Sequence, residues 1–342
     1  MPIINGNGMS SRPCGEDCGA ETAEIRNCQL CPRRCGANRA AGRLGWCRSG
    51  ATPRVFRWGP HFGEEPPISG TRGAGTIFFS RCTLRCLYCQ NWPWSQDGAG
   101  EDIDSRRLAE IMLDLKAKGC HNWDLVSPTP WLPFIAEARK HCAAVDKLLP
   151  FVYNSSGFES PGVLAEYAEL ADVALVDLRY STPALAQAAS GCAEYVQAAR
   201  ETLLWFCARL GPLETDEAGI ARGGVICRLL VLPGHAGEAV ENLRWIADNV
   251  GPELDLSIMS QYTPAWRAVQ NGEWGRRVTD AEYALVTAEA ERLGFESCWI
   301  QPHGAAGESD NLMGFNMSAG DGPAGETKPG TKNERTQPLG NN

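Results

Sequence analysis

Three closely spaced cysteines form the strongest chemical signal in the sequence. Cys82, Cys86 and Cys89 are separated by three and two residues, and they directly follow an apolar run over 75–80. Three thiolates on one loop can hold one metal centre. Zinc needs a fourth ligand such as histidine, and residues 79–97 contain none. A [4Fe–4S] cluster on three thiolates leaves one iron open for an exogenous ligand. A zinc knuckle or three incidental cysteines are the alternatives.

A second set of cysteines lies upstream. Cys28, Cys31, Cys35 and Cys47 could hold tetrahedral zinc or an auxiliary iron–sulfur cluster, and their spacing alone does not distinguish the metals. Four ligands would complete the coordination of the metal, which favours a structural or electron-relay role. The chain has 15 cysteines in all. Because a reducing cytosol disfavours disulfides, clustered cysteines indicate metal or redox chemistry.

Composition excludes several classes of partner. The chain has 342 residues with 32 Lys and Arg against 41 Asp and Glu, which gives a net charge of −9. An acidic chain is not attracted to nucleic acid or anionic lipid, so we expect neither as a partner. No uncharged apolar run reaches the roughly 18 residues of a transmembrane helix. Residues 1–11 lack the features of a signal peptide, so we expect a cytoplasmic protein.

Three zones follow one another along the chain. Residues 1–73 are rich in Cys, Gly, Pro and Arg, and we expect a metal-binding extension there. Residues 74–302 alternate short apolar runs with amphipathic stretches. Residues 303–342 have hardly any large apolar side chains, which predicts a disordered tail.

The middle zone shows a strand and helix rhythm. The predicted strands cover 75–80, 123–126, 149–153, 173–178, 225–232 and 254–259. Helices are predicted over 105–118, 132–144, 161–170, 193–210 and 238–249, with a last helix from Thr279 to Gly294. Strands that alternate with helices indicate parallel βαβ units, and six of them fit an open partial barrel or a doubly wound sheet. In either fold the loops at the carboxyl ends of the strands form the site.

The cysteine loop resembles the motif of the radical S-adenosylmethionine (SAM) superfamily. Cx3Cx2C follows the first strand of the middle zone, and an aromatic residue, Tyr88, precedes the third cysteine. Longer strings are similar to pyruvate formate-lyase-activating-enzyme-like proteins with an N-terminal cysteine extension. These strings are CQLCPRRCGANRAAGRLGWCR from Cys28, EEPPISGTRGAGTIFFSRCTLRCLYCQNWPWSQ from Glu64 and QYTP from Gln261. The resemblance extends from about Cys28 to about Leu293.

The resemblance implies a fold and an activity. The fold is an α/β partial (β/α)6 barrel of radical SAM type, and the cofactors are SAM and a [4Fe–4S] cluster on Cys82, Cys86 and Cys89. The reduced cluster cleaves SAM to methionine and a 5′-deoxyadenosyl radical, which abstracts hydrogen from a substrate. A donor such as flavodoxin or ferredoxin supplies the electron. The substrate could be a glycyl-radical protein. The alternatives are an oxidoreductase or modifier of a small molecule and, in another class, a non-catalytic zinc-binding scaffold.

Candidate SAM-binding residues follow the predicted strands. The resemblance implies that Tyr88 packs on the adenine. Ser127 and Thr129 stand where the superfamily has a Gly-Gly-Glu-Pro type sequence that holds the SAM amino group; a Pro-rich turn is the alternative. Asn154 and Ser156 lie in a stretch similar to the Asp-Thr-Asn-Gly of glycyl-radical activating enzymes, with Asn154 in place of the acid.

Charged residues after two later strands are the candidates for catalysis. Asp177 and Arg179 match an Asp-Leu-Lys stretch, and Arg179 could pair with a carboxylate at the mouth; a surface ion pair is the alternative. Arg228 lies inside an apolar run, so it needs a partner, and it matches an arginine that contacts SAM. Further candidates at the mouth are His235, Gln261 and Tyr262.

Overall fold

The computed structural model describes residues 23–300. The predicted disordered tail over 303–342 and the first part of the predicted extension, residues 1–22, lie outside the described residues. Within residues 23–300 no helix has the length and apolar character needed to cross a membrane.

Strands and helices alternate through most of the described chain. The strands are β1 (Arg54–His61), β2 (Ala74–Phe79), β3 (Glu101–Asp102), β4 (Trp123–Val126), β5 (Phe151–Ser155), β6 (Val173–Asp177), β7 (Glu214–Thr215), β8 (Ala221–Leu230), β9 (Asp255–Met259) and β10 (Cys298–Ile300). The helices are α1 (Ala23–Arg26), α2 (Pro66–Ser69), α3 (Trp92–Ser95), α4 (Ser105–Ala117), α5 (Leu132–Val145), α6 (Pro161–Glu166), α7 (Pro183–Ser190), α8 (Tyr195–Leu210), α9 (Ala236–Asn249) and α10 (Asp280–Arg292). Short 3-10 turns cover Thr129–Trp131, Ala168–Leu170, Trp266–Ala268 and Gly272–Gly275.

One mostly parallel sheet forms the centre of the fold. Its strand order is β10-β9-β8-β6-β5-β4-β2-β1-β3, and β2, β4, β5, β6, β8, β9 and β10 run parallel to one another. The parallel strands are added in chain order in one direction. A doubly wound sheet reverses its order at a switch point, so that alternative does not describe this chain. Within residues 23–300 the sheet has two ends, β3 and β10, and no pairing closes it into a barrel.

The sheet is larger than the six predicted strands. β10 adds a seventh parallel strand, and β1 pairs antiparallel with β2. The sheet therefore begins at Arg54, upstream of the predicted boundary at residue 74. An additional helix, α7, lies between β6 and α8, where no helix is predicted from the sequence.

Local signals in the sequence account for the helices. The apolar stripe of α4 is buried against the sheet, with Leu108, Met112 and Leu115 fully inaccessible to solvent. The predicted capping spacing starts α10. Thr279 accepts a hydrogen bond from the backbone N–H of Glu282, and the Glu282 carboxylate accepts one from the backbone N–H of Thr279. These helices cover the sheet and fix the carboxyl ends of its strands.

Candidate functional site

A cavity opens where the carboxyl ends of the parallel strands meet. It contains about 1110 Å³ of space not filled by protein atoms, part of it continuous with solvent. The sequence-predicted residues that line it are Cys82, Cys86, Tyr88, Cys89, Ser127, Asn154, Ser156, Asp177, Arg179, Arg228, Gln261 and Tyr262. Of the described residues that line the cavity, three are cysteines and none is histidine.

The cysteine loop leaves β2 through a sharp turn. Arg81 has a φ of 75°, a left-handed conformation that redirects the chain toward the cavity. The backbone N–H of Leu84 points at Cys82 Sγ over 3.4 Å, and Ser95 Oγ lies 3.2 Å from Cys89 Sγ. All three thiols of the loop are free of disulfides.

Burial controls the protonation of two of these thiols. Burial, and then the charge of neighbouring Cys86, raise the pKa of Cys82 to about 12 and the pKa of Cys89 to about 11. Buried thiols of this kind stay neutral until a positively charged centre takes the place of their protons. The donor set therefore fits a metal centre that binds thiolates.

Zinc and a four-iron cluster require different spacings of their thiolates. Thiolates on one zinc lie about 4 Å apart, because each Zn–S bond is about 2.3 Å long. Thiolates on a four-iron cluster each bind a different iron and stand further apart. Within residues 23–300 no three Cys, His, Asp or Glu side chains are arranged to hold one metal ion.

Cys86 receives two side-chain hydrogen bonds. Arg179 Nη1 donates to its sulfur over 3.0 Å, and Ser190 Oγ donates over 2.9 Å. The carboxylate expected to pair with Arg179 is its neighbour Asp177, with Nη2 2.5 Å from Oδ2. Both side chains are mostly buried, with 21% and 19% of their surface exposed, so this is not a surface ion pair. A guanidinium between a carboxylate and a sulfur stabilises negative charge on that sulfur.

Arg228 has the buried partners that its position requires. Its Nε donates to Glu65 Oε1 over 2.8 Å, its Nη2 donates to both Glu64 and Glu65, and its Nη1 donates to Asn154 Oδ1 over 3.2 Å. Burial alone would lower the pKa of Arg228, but Glu65 and then Glu64 raise it well above its usual value. The sequence reasoning missed both glutamates, although two consecutive acids in the string from Glu64 were the available signal.

A third carboxyl group completes this network. Asn154 Nδ2 donates to Asp124 Oδ1 over 3.1 Å, and Thr76 Oγ1 donates to Asp124 Oδ2 over 2.8 Å. Burial, and then the charge of Glu64, raise the pKa of Asp124 well above its usual value, which favours its neutral form. Two carboxylates then face one guanidinium, which leaves negative charge beside the cavity at Glu64.

Two predicted residues after β4 lie in different environments. Ser127 lines the cavity with a φ of 59°, a conformation that glycine adopts more readily. Thr129 does not line the cavity. It is buried, and its hydroxyl donates to Glu159 over 2.8 Å. Ser155 Oγ also donates to this carboxyl group over 2.8 Å, and burial raises the pKa of Glu159 to about 7. The structure thus places Thr129 outside the cavity lining, and its role in SAM binding stays a prediction.

Aromatic rings form one wall of the cavity. The ring of Tyr88 stacks on Trp274, with centroids 5.4 Å apart, and it packs at a tilt against Tyr262. Its hydroxyl lies 2.7 Å from that of Tyr180. His235 packs against Trp274 and does not line the cavity. Trp274 was not among the predicted residues, since nothing in its local sequence links it to the cysteine loop.

The four upstream cysteines lie in the described part of the predicted extension. Cys28, Cys31, Cys35 and Cys47 are free of disulfides, and Cys28 is buried. Their segment contacts the triplet loop, because Arg33 Nε donates to the carbonyl of Thr83 over 2.9 Å.

Comparisons with known proteins give two matches to report. No family model matches the chain. The chain is 28% identical over 281 residues to an uncharacterized protein, MJ0674, of Methanocaldococcus jannaschii, and the match covers 79% of this chain and 76% of that protein. Among solved structures it is similar to the X-ray structure of the FeFe-hydrogenase maturase HydG from Carboxydothermus hydrogenoformans, with a TM-score of 0.42 and 10% identity. That match covers 65% of this chain and 52% of HydG, so the chain spans about half the length of that structure.

Proposed function

We propose that this protein is a radical SAM enzyme whose [4Fe–4S] cluster is held by Cys82, Cys86 and Cys89. One observation carries the proposal. The three thiols of the Cx3Cx2C loop line the same cavity as polar side chains at the carboxyl ends of β5, β6 and β8. When bound, the reduced cluster supplies the electron that cleaves SAM to methionine and a 5′-deoxyadenosyl radical.

The chain's own donors prepare the loop for thiolates. Leu84 donates its backbone N–H to Cys82, and Ser95 contacts Cys89. Arg179 and Ser190 donate to Cys86. These hydrogen bonds orient the sulfurs and offset negative charge, which makes a cluster easier to reduce.

Negative charge beside the cavity suits a cationic ligand. Glu64 and Asp177 both line it, and SAM carries a sulfonium and an ammonium group. Arg228 donates to Glu64, Glu65 and Asn154, so its role in this proposal is to position Glu64 and Asn154. Arg179 and Asp177 set the charge between the cysteine loop and the bound ligand.

Neutral side chains complete the proposed SAM site. Ser127 and Ser156 offer hydroxyl groups at the carboxyl ends of β4 and β5. Tyr88 and Tyr262 offer apolar ring surface for the adenine. Together these groups would exclude water from the reacting atoms.

As the specific reaction we propose hydrogen abstraction from a glycine of a partner protein, with flavodoxin or ferredoxin as the electron donor. Its support is the resemblance of the three sequence strings to pyruvate formate-lyase-activating-enzyme-like proteins with an N-terminal cysteine extension. Modification of a small molecule and a zinc-binding scaffold are the competing functions.

Anaerobic SAM cleavage tests the proposal. We expect the protein to form 5′-deoxyadenosine with SAM and dithionite, and the combined variant Cys82→Ala, Cys86→Ala, Cys89→Ala to form none. Cys207→Ala, a cysteine of α8 outside both sets, is the control and should retain the activity. Product formation by the triple variant, or stoichiometric zinc without iron in the wild type, would overturn the proposal.

A further inference from the structure

The four upstream thiols form one group. Cys28 pairs with Ala37 in a β-bridge, so the segment folds back on itself and brings Cys35 toward Cys28. Cys35 Sγ lies 4.0 Å from the carbonyl oxygen of Cys28, and the turn that Arg34 N–H closes on the carbonyl of Cys31 leads directly into Cys35. A Cβ on Gly45 would stand 2.5 Å from Cys35 Sγ, and Cys47 lies in the turn that Arg48 N–H closes on the carbonyl of Gly45. These contacts place the four cysteines in one neighbourhood.

The local geometry of this set repeats that of the triplet loop. The backbone N–H two residues downstream donates to the sulfur of Cys28 and to that of Cys31. The same relation holds for Cys82 and Cys89. Such N–H to sulfur bonds stabilise thiolates that ligate metals. Both sets therefore have the local geometry of metal-binding loops. The upstream set has four sulfurs and the triplet loop has three.

Buried donors without partners lie in the same segment. Arg39 is 2% exposed and lowers the pKa of Cys28 by its charge, and its Nη2 has no hydrogen-bond partner among the described residues. Trp46 Nε1, next to Cys47, is also buried without one. Leaving such groups unsatisfied is costly. Acceptor atoms in the segment, such as the sulfides of a cluster, would satisfy them.

Arginines join this segment to the triplet loop. The Trp46 ring lies between the guanidinium groups of Arg33 and Arg85, which stand 4.0 Å and 4.6 Å from its centroid. Arg85 Nη2 donates to the carbonyl of Trp46 over 2.6 Å. Arg85 belongs to the Cx3Cx2C loop, so the two cysteine sets are neighbours and share positive charge that offsets their thiolates.

We propose that Cys28, Cys31, Cys35 and Cys47 hold a second [4Fe–4S] cluster, with every iron ligated by the protein. Four thiols supply one ligand to each iron of such a cluster, and the segment adjoins the triplet loop through Arg33 and Arg85. With no open iron, this cluster binds no SAM. The inference does not depend on SAM cleavage, because it concerns the ligands of the second set alone.

Metal analysis and EPR of the full chain test the inference. Wild-type protein reconstituted anaerobically should contain about eight iron and eight sulfide per chain, and Cys28→Ala, Cys31→Ala about four. The triplet variant Cys82→Ala, Cys86→Ala, Cys89→Ala should also retain about four. Its reduced EPR signal should not change on adding SAM, whereas the signal of Cys28→Ala, Cys31→Ala should change. Cys207→Ala is the control for both.

Two results would overturn the inference. One is a full equivalent of zinc that disappears in Cys28→Ala, Cys31→Ala. The other is about four iron in the wild type and in Cys28→Ala, Cys31→Ala alike. Circular dichroism identifies a variant that fails to fold. If a variant does fail, the iron and zinc contents of the wild-type protein alone distinguish a second cluster from zinc at the four upstream cysteines. Absence of SAM cleavage with eight iron present would contradict the proposed function and leave this inference standing.

Discussion

Replacing Arg228 by methionine isolates the strongest electrostatic interaction beside the cavity. In Arg228→Met the carboxylates of Glu64 and Glu65 keep only 2% and 6% exposure and lose their cation. Breaking a buried ion pair in this way costs about 3–5 kcal/mol. Since 1 kcal/mol lowers the Tm of a large domain by roughly 2–4 °C, we expect a decrease of about 10 °C at pH 8.

The decrease should depend on pH. In the wild type burial raises the pKa of Glu65, but Arg228 outweighs it and the net pKa is lowered. Glu65 therefore stabilises the fold above its unfolded pKa of about 4.5, and that stability is lost as the pH falls through the lowered value. In Arg228→Met the effect of burial is opposed only by the smaller effects of the hydrogen bonds from the backbone and from Ser257, so the pKa of Glu65 should rise and destabilise the fold as the pH rises. The gap between the two proteins should shrink from pH 8 toward pH 5.

Thermal unfolding followed by circular dichroism measures this gap. Arg222→Met is the matched control in the same strand, because its pair with Asp216 lies at the surface and is screened by solvent. Adding Glu65→Gln to Arg228→Met should recover part of the lost stability. The reasoning fails if Arg228→Met loses no more than the control, or if its loss is the same at pH 5 and pH 8.

Three further predictions concern other parts of the site. Gly157→Ala should lower the free energy of unfolding by about 2–4 kcal/mol, because the φ of Gly157 is 82° and a Cβ would stand 2.2 Å from a carbonyl oxygen of β6. Gly162→Ala is the control and should not lower it, because the space around Gly162 is open. Glu159→Gln should remove a pH dependence. Because burial raises the pKa of Glu159 to about 7 in the folded state, the wild type is most stable below pH 4.5 and loses stability as the pH rises toward 7. Relative to Glu159→Gln, its free energy of unfolding, measured in urea, should fall by ~3 kcal/mol over this range. Ser190→Ala removes one hydrogen bond from Cys86 and should make the triplet cluster harder to reduce, by up to about 40 mV in an EPR-monitored titration.

Much of the architecture follows from local sequence. Each predicted strand of the middle zone is present, within a few residues, because buried parallel strands are continuous apolar runs. β10 has three residues, which is too short for a periodic signal. β1 contains Arg54, Arg57 and Pro60, which interrupt the apolar pattern expected of a strand, so this antiparallel strand was not predicted. The rule that sites form at the carboxyl ends of strands located the cavity without knowledge of the strand order.

The contacts within the site were harder to predict. Arg228 requires a buried partner, but Glu64 and Glu65 lie more than 160 residues away in the chain, and only the folded sheet brings them together. Thr129 is close to Ser127 in sequence, yet the 3-10 turn that begins at Thr129 directs its hydroxyl to Glu159 and away from the cavity. Side-chain direction within a turn is set by tertiary packing, which the spacing of residues does not show.

An open iron next to the cysteine triplet is the central claim of this account, and labelled SAM tests it most directly. Reduced wild-type protein mixed with SAM that carries ¹⁵N in its amino group should show a nitrogen coupling by electron–nuclear double resonance. The coupling should be absent when Cys82, Cys86 and Cys89 are replaced by alanine. A reduced wild-type cluster that shows no coupling to the labelled nitrogen under saturating SAM would contradict the claim.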